Sequence, residues 1–112
     1  MASSAARRST QQSTPAVSTQ PLSRPDATRL ADLLKVVSDP TRLQLLSLIA
    51  GSAEGEACVA DLVEPLGLRQ PTISHHLKRM VEAGLLVKTR RGSYSWYSIV
   101  PERLGAIADI IR

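Results

Sequence analysis

The stretch "LRQPTISHHLKRMVEAG" at residues 68–84 decides the fold. Ile73, Leu77 and Met80 recur within it at helical spacing, so they share one face of a helix that the final glycine ends. The preceding stretch "CVADLVEPLG" at residues 58–67 predicts a shorter helix with its own apolar positions. A short helix, a tight turn and a longer helix in this order predict a helix-turn-helix.

A β-hairpin is expected on the C-terminal side. "LLVKT" at residues 85–89 and "SYSWYSIV" at residues 93–100 are together rich in β-branched and aromatic side chains, which favour strands. Arg90, Arg91 and Gly92 join the two runs, and glycine permits the positive φ that a tight turn requires. The hairpin is therefore expected to carry a basic tip.

Three outer helices complete the pattern. Pro40 suits the start of the second helix and Pro101 that of the last, while residues 51–57 are expected to form a polar loop. The predicted inner stripe of the second helix is Leu43, Leu46, Ile49 and Ala50. The order α1-α2-α3-α4-β-β-α5, mainly α with a small β-hairpin (α+β), predicts a winged helix-turn-helix over residues 26–112.

The composition restricts the class of protein. A chain of 112 residues is one domain at most, and a single cysteine excludes an intrachain disulfide. The apolar runs are too short to cross a membrane, and no secretory signal is recognised. Neither a phosphate-binding glycine loop nor a nucleophile with an orienting base is evident, which argues against an enzyme. We expect a soluble, cytoplasmic protein without a membrane partner.

Positive charge is concentrated in two segments. The chain carries 14 Lys and Arg against 10 Asp and Glu, a net charge of +4. Residues 1–25 hold three arginines and no acid, and their Ser, Thr, Gln and Pro content predicts a disordered basic N-terminal arm. Residues 68–91 hold six basic side chains against Glu82 alone. Such a concentration is typical of a surface that binds an anionic partner, although a solvated basic face has the same composition.

Several strings in this arrangement resemble the ArsR/SmtB family of bacterial repressors, which respond to metals and other ligands. The resemblance rests on "SDPTRLQLLSLI" at residues 38–49, "EACVADL" at 56–62, "QPTISHHLKRMVEAGLL" at 70–86 and "RRGSYSWYSIV" at 90–100. It implies a homodimer, joined by the first and last helices, that binds a palindromic operator in double-stranded DNA. It also implies that an effector weakens DNA binding and lets transcription resume.

The polar side of the fourth helix is expected to face the DNA. A recognition helix that enters the major groove by its N-terminus places Gln70 and Ser74 forward, where their side chains can contact base edges. Lys78 and Arg79 lie further along and suit phosphates, as do the basic side chains of the wing. The predicted DNA-binding residues are Gln70, Thr72, Ser74, His75, Lys78, Arg79, Lys88, Arg90 and Arg91. The resemblance implies the same forward positions, Gln70, Ser74 and His75.

Apolar stripes on the first and last helices independently favour a dimer. A domain of this size has a small core, so the two stripes exceed what one chain is expected to bury. The predicted two-fold interface consists of Leu30, Leu33, Leu34, Leu104, Ile107 and Ile111. In the alternative, both stripes pack inside a single chain.

The sequence departs from the family where relatives bind their effectors. Arsenic- and cadmium-type relatives carry Cys-Val-Cys in the third helix, whereas this chain has Cys58-Val59-Ala60. One thiolate is a poor site for a soft ion, and an isolated buried cysteine is more often a core residue, so Cys58 is a weak metal candidate. The site of zinc- and nickel-type relatives in the last helix is absent as usually built, because Pro101 and Arg103 stand where ligands are expected.

The histidines do not restore a metal site, since His75 and His76 point about 100° apart on a helix. The sequence therefore predicts a repressor that responds to a metal ion such as nickel, zinc, cadmium or arsenic through a non-standard site. A transition-metal ion is the one cofactor that it suggests. Two alternatives stay open. The regulator senses no metal itself and acts with a protein co-regulator, or the domain is a winged-helix protein-interaction module that docks an acidic partner.

Overall fold

The computed structural model describes the backbone of residues 21–111 and the side chains of residues 21–109. Its helices are α1 (Arg24–Val37), α2 (Pro40–Ala50), α3 (Val59–Leu66), α4 (Gln70–Glu82) and α5 (Pro101–Ile111). Its strands are β1 (Glu56–Cys58), β2 (Leu86–Arg91) and β3 (Tyr94–Ile99). The predicted winged helix-turn-helix, mainly α with a β-hairpin between α4 and α5, is confirmed. None of the helices in this part of the chain is long and apolar enough to cross a membrane.

The first helix begins two residues before the predicted domain boundary at Asp26. The Ser23 hydroxyl accepts a hydrogen bond from the Asp26 N–H at 3.2 Å, and Pro25 lies in the first turn, so α1 starts at Arg24. The last residues of the predicted arm therefore belong to the folded domain. Residues 1–20, the rest of the predicted arm, lie outside the described residues.

The strand β1 stands where the sequence predicted part of a polar loop, over residues 51–57. It pairs antiparallel with β3, so the sheet order is β1-β3-β2, and its central residue Ala57 is fully buried. A turn of 3-10 helix at Ala53–Gly55 leads into it. Three residues are too few to show the alternation that predicts a strand. Pairing with the hairpin, which is a tertiary contact, is what makes this segment extended.

The core lies between one face of the sheet and helices α2, α3 and α4. Its fully buried large side chains are Leu45, Ile49, Leu62, Ile73, Leu77, Met80 and Leu85. In α2 the predicted inner stripe is partly wrong, because Leu43 and Ala50 are exposed while Leu45 is buried. The buried stripe centres on Ile49, and the two misplaced positions lie about 100° around the helix from it.

Two neighbouring leucines of α2 test this packing. Leu45→Ala is expected to lower the free energy of unfolding by about 2–5 kcal/mol, because it removes fully buried methyl groups and leaves a cavity. Leu43→Ala is the matched control, and since Leu43 is 50% exposed its cost is expected to be about 0.5 kcal/mol. Urea denaturation of the two variants measures the difference, and equal losses would contradict the described orientation of α2.

Candidate nucleic-acid interface

The helix α4 is held in place by its apolar side. Ile73, Leu77 and Met80 are fully buried in the core. α3 ends at Gly67, whose left-handed φ of 64° reverses the chain, and α4 begins directly after Arg69. The result is a helix-turn-helix in which the polar side of α4 is turned outwards.

This outward side carries five of the predicted DNA contacts. Gln70, Thr72, His75 and Lys78 are exposed, and Ser74 is partly buried. Their side chains make no hydrogen bond or ion pair to another described residue. Their donors and acceptors are therefore available to the edge of a base or to a phosphate.

The hairpin presents its basic side chains on two different faces. A two-residue turn joins β2 to β3, and in it Gly92 has a φ of 62°. Because side chains alternate along a strand, Lys88 and Arg90 share the face of the buried Leu86, whereas Arg91 lies on the opposite face. Two of the three basic wing residues thus point to the side of the sheet that the helices cover.

The third of them, Arg91, is engaged within the chain. Its guanidinium donates a hydrogen bond to Glu56 Oε1 at 2.5 Å and lies 4.8 Å from the centroid of the Trp96 ring. These partners belong to β1 and β3, so Arg91 connects all three strands on the outer face of the sheet. Its charge is already paired in the folded protein.

Arg79 lies on a different flank of α4 from Gln70 and Ser74. Gln70, Ser74 and Lys78 follow one another at four-residue intervals and share a flank. Arg79 instead lines a cleft that α4 forms with α1 and α5, where Arg103 is a neighbour. The structure therefore brings Lys78, but not Arg79, to the side of Gln70.

His76 joins α4 to α2 instead of facing outwards. Its Nδ1 accepts a hydrogen bond from Arg42 Nε at 3.2 Å, and the same guanidinium donates to the Val36 carbonyl at 2.9 Å. Asp39 caps α2 by accepting from the Arg42 N–H at 3.0 Å, and this hydrogen bond lowers the pKa of Asp39. Burial lowers the pKa of His76 below its ordinary value of 6.5, an effect that the Asp39 charge opposes. Sequence reasoning missed Arg42, because it lies 34 residues from its partner.

The chain is similar to known proteins in sequence and in fold. The family described as "Bacterial regulatory protein, arsR family" matches residues 39–88, from the cap of α2 into β2. An uncharacterised HTH-type transcriptional regulator of Methanocaldococcus jannaschii is 36% identical, over 74% of this chain and 91% of that protein. The chain belongs to the ArsR family.

Two further relatives are named for metalloids. An arsenical resistance operon repressor of Staphylococcus xylosus is 40% identical to this ArsR-family chain, over 74% of this chain and 80% of that protein. The crystal structure of the AntR antimony-specific transcriptional repressor matches with a TM-score of 0.68 and 29% identity, over 88% of each chain. The protein is thus a DNA-binding repressor of the ArsR family with a winged helix-turn-helix, and the resemblance stated from its sequence is confirmed.

Cys58 lies at the start of α3, at the position where the resemblance stated from the sequence led us to expect the first of two thiolates. It is 8% exposed, and its Sγ–H and its N–H both donate to Asp61 Oδ2, at 3.3 and 3.2 Å. Ala60 occupies the second position and supplies no donor atom. Among the described residues of one chain, no group of three His, Cys, Asp or Glu side chains is placed to hold a metal ion. These residues do not fit a complete metal site.

The residues predicted for the dimer divide between core and surface. Leu33 is 5% exposed and belongs to the core of a single chain, whereas Leu34 is 42% exposed. The side chain of Ile111, at the end of α5, lies outside the described residues. Partly buried against the core are Leu30, Leu104 and Ile107. Leu34 and the outer edges of these three side chains are therefore open to a further contact, whereas Leu33 is not.

The contact between Arg42 and His76 makes stability depend on pH. Lowering the pH from about 7.5 to about 5.5 is expected to lower the free energy of unfolding, because His76 protonates near pH 6.5 when unfolded and only at lower pH when folded. His76→Asn offers Arg42 an acceptor that does not titrate, so the pH dependence is expected to weaken. Chemical denaturation at successive pH values measures it.

His75→Asn is the matched control, because this exposed neighbour makes no hydrogen bond to a described residue. It is expected to keep the pH dependence of the wild type. The same pH dependence in the wild type and in His76→Asn would show that this partly buried imidazole does not link stability to protonation.

Proposed function

We propose that this repressor binds its operator as a two-fold homodimer, with α4 in the major groove and the wing on the sugar–phosphate backbone. One observation carries the proposal. The five outward side chains of α4 named above make no hydrogen bond or ion pair to another described residue, and they lie beside a wing whose Lys88 and Arg90 share one face. Side chains at the start of a recognition helix reach base edges, and basic side chains further away reach phosphates.

The two halves of α4 have different roles in this proposal. The Gln70 amide donates and accepts at the same time, which matches the major-groove edge of adenine, and Ser74 lies one turn further on the same flank. The Lys78 ammonium has donors only and carries a full charge, so it neutralises a phosphate. The first half of the helix is therefore assigned to the recognition of DNA bases. The second half and the wing are assigned to phosphate contacts, which position the protein on the duplex.

The remaining predicted contacts fall into two groups. Thr72 and His75 are exposed on α4 and stay in the proposed interface. Arg79 and Arg91 are assigned a smaller share of the affinity, since the first lines the cleft and the second is paired with Glu56. A guanidinium that already has a carboxylate partner gains less from a phosphate, because it must exchange one for the other.

A second copy is proposed to cover the apolar surface of α1 and α5. Leu34 is 42% exposed and lies beside other partly exposed apolar side chains on the same two helices, and a contiguous apolar patch of this kind is typical of an interface. A two-fold interface of this kind presents two α4 helices to half-sites about 34 Å apart, one turn of the duplex. The operator is accordingly proposed to be palindromic.

Gln70→Ala and Lys78→Ala form a matched pair that separates base reading from phosphate contact. The operator is represented by a duplex that the wild type selects from a random-sequence pool. Gln70→Ala is expected to cost about 1–3 kcal/mol for each of the two half-sites of this duplex and almost nothing on an unrelated one. Lys78→Ala is expected to weaken both and to reduce the slope of log K against log salt by about 1.8, since each of the two copies loses one phosphate contact worth about 0.9. Fluorescence anisotropy at several salt concentrations measures all four affinities.

Equal losses of Gln70→Ala on the two duplexes would contradict its role in reading bases. The same assay addresses the interaction-module alternative. A module that docks an acidic protein selects no duplex sequence from the pool, whereas the proposed repressor does.

A metal or metalloid effector is the second candidate function, and the names of the arsenical and antimony relatives favour it. Cys58 and Asp61 supply two neighbouring donors, which is fewer than a metal site needs. A metal-responsive site therefore requires donors from a second copy or from residues outside 21–109. The alternative, a repressor that acts with a protein co-regulator, requires no such site.

Titration of Ni²⁺, Zn²⁺, Cd²⁺ and arsenite into the complex with the selected duplex tests the effector. The metal-responsive proposal expects one of the four to change the fraction of DNA bound. Cys58→Ser keeps a small hydrogen-bonding group for Asp61 and is expected to abolish a response to Cd²⁺ or arsenite, which prefer sulfur. A response that persists in Cys58→Ser excludes this thiolate as a ligand, and no response to any of the four contradicts metal sensing.

A further inference from the structure

A cleft of about 350 Å³ opens between α1, the last turn of α4 and the first turn of α5. Leu33, Val36 and Ala83 give it an apolar floor. Its volume is in the range of small-molecule sites, about 300–1,000 Å³. Neither Cys58 nor the proposed base-reading residues contribute to it, and Arg79 is the one proposed DNA contact that does.

Four of the five charged side chains around this cleft have no partner among the described residues. Arg79 and Arg103 make no ion pair or side-chain hydrogen bond to another described residue, and the same is true of Asp32 and Glu82. A fifth charged side chain, Arg29, is paired with an aspartate of its own helix. The open charges of the lining are therefore two guanidiniums and two carboxylates, and Arg29 adds a third guanidinium that is already paired. A guanidinium presents a planar fork of donors that matches the two oxygens of a carboxylate.

The backbone after α4 makes room for one of these guanidiniums. Gly84 has a φ of +79°, and a Cβ added there would lie 3.0 Å from Arg103 Nε and 3.2 Å from its Cζ. The absence of a side chain lets Arg103 lie directly over the turn that leads from α4 to β2. Its guanidinium is thereby placed beside the cleft.

We propose that this cleft binds a small organic carboxylate. The carboxylate group lies on the two open guanidiniums, and the apolar body of the ligand lies on the floor that Leu33, Val36 and Ala83 form. An amide of the same shape lacks the negative charge that pairs with the guanidiniums, so the site is expected to bind the carboxylate and not the amide. Asp32 and Glu82 disfavour a second anionic group nearby and can accept from a hydroxyl or an ammonium of the same ligand.

The position of the cleft connects this ligand with the DNA. Arg79 belongs to the recognition helix, Arg103 to α5 and Leu33 to α1. A ligand that bridges them sets the end of α4 relative to the two helices proposed for the dimer, so occupied and empty protein differ in operator affinity. This regulatory role rests on the proposed repressor function, whereas the binding site itself does not.

Isothermal titration calorimetry of the full chain without DNA tests the site. The probes are hexanoate, octanoate and 4-phenylbutyrate at millimolar concentration, each beside its amide. We expect at least one carboxylate to bind and its amide not to bind. Arg79→Gln and Arg103→Gln are each expected to raise the Kd about 10- to 100-fold, the loss typical of a hydrogen bond to a charged group. Arg24→Gln, at an exposed arginine of α1 outside the cleft, is the matched control and leaves the Kd unchanged.

Three results overturn the site: no binding of any carboxylate, equal binding of the amides, or an unchanged Kd in both arginine variants. The bound carboxylate is then added to the complex with the selected duplex, where we expect the Kd for DNA to change about fivefold or more. An unchanged Kd for DNA overturns the regulatory role. A chain that selects no duplex contradicts the repressor function alone, because the titration without DNA is independent of it.

Discussion

What the protein presents to DNA depends on the burial of one side of α4. Ile73, Leu77 and Met80 are fully enclosed by the core, and this sets the rotation of the helix about its own axis. The rotation in turn decides which polar side chains can reach a groove. Moving the apolar stripe by one residue would turn the helix by about 100° and carry Gln70 away from the duplex. Substitutions on the outer side leave the fold intact, whereas substitutions on the stripe do not.

Features that arise within a few residues could be predicted from the sequence. The caps of the helices, the stripe of α4 and the turn at Gly92 are of this kind. β1 is not, because three residues hold no period and the strand exists only by pairing with β3. The stripe of α2 was misplaced for a related reason. α2 carries leucines on several of its sides, so the sequence alone does not decide whether Leu43 or Leu45 faces the core.

The candidate site divides in the same way. Exposure of Gln70 and Lys78 follows from helical periodicity and was predictable. The environments of the arginines were not, since Arg91 finds its carboxylate 35 residues away and Arg79 meets side chains of α1 and α5. Long, flexible side chains are placed by whatever the fold brings near them. An effector-binding site needs several such side chains close together. Its residues are for that reason harder to predict from the sequence than the side of α4 that faces the DNA.

The strand β1 has a consequence for how the protein docks. Glu56 binds the wing through Arg91, Ala57 fills the core and Cys58 begins the first helix of the helix-turn-helix. The strand β1 thereby connects the β2–β3 hairpin to the helices α3 and α4, and the distance between the hairpin and these helices is set when the chain folds. Recognition helix and wing reach a duplex as one preorganised unit, so little conformational entropy of the protein is left to be lost in the encounter.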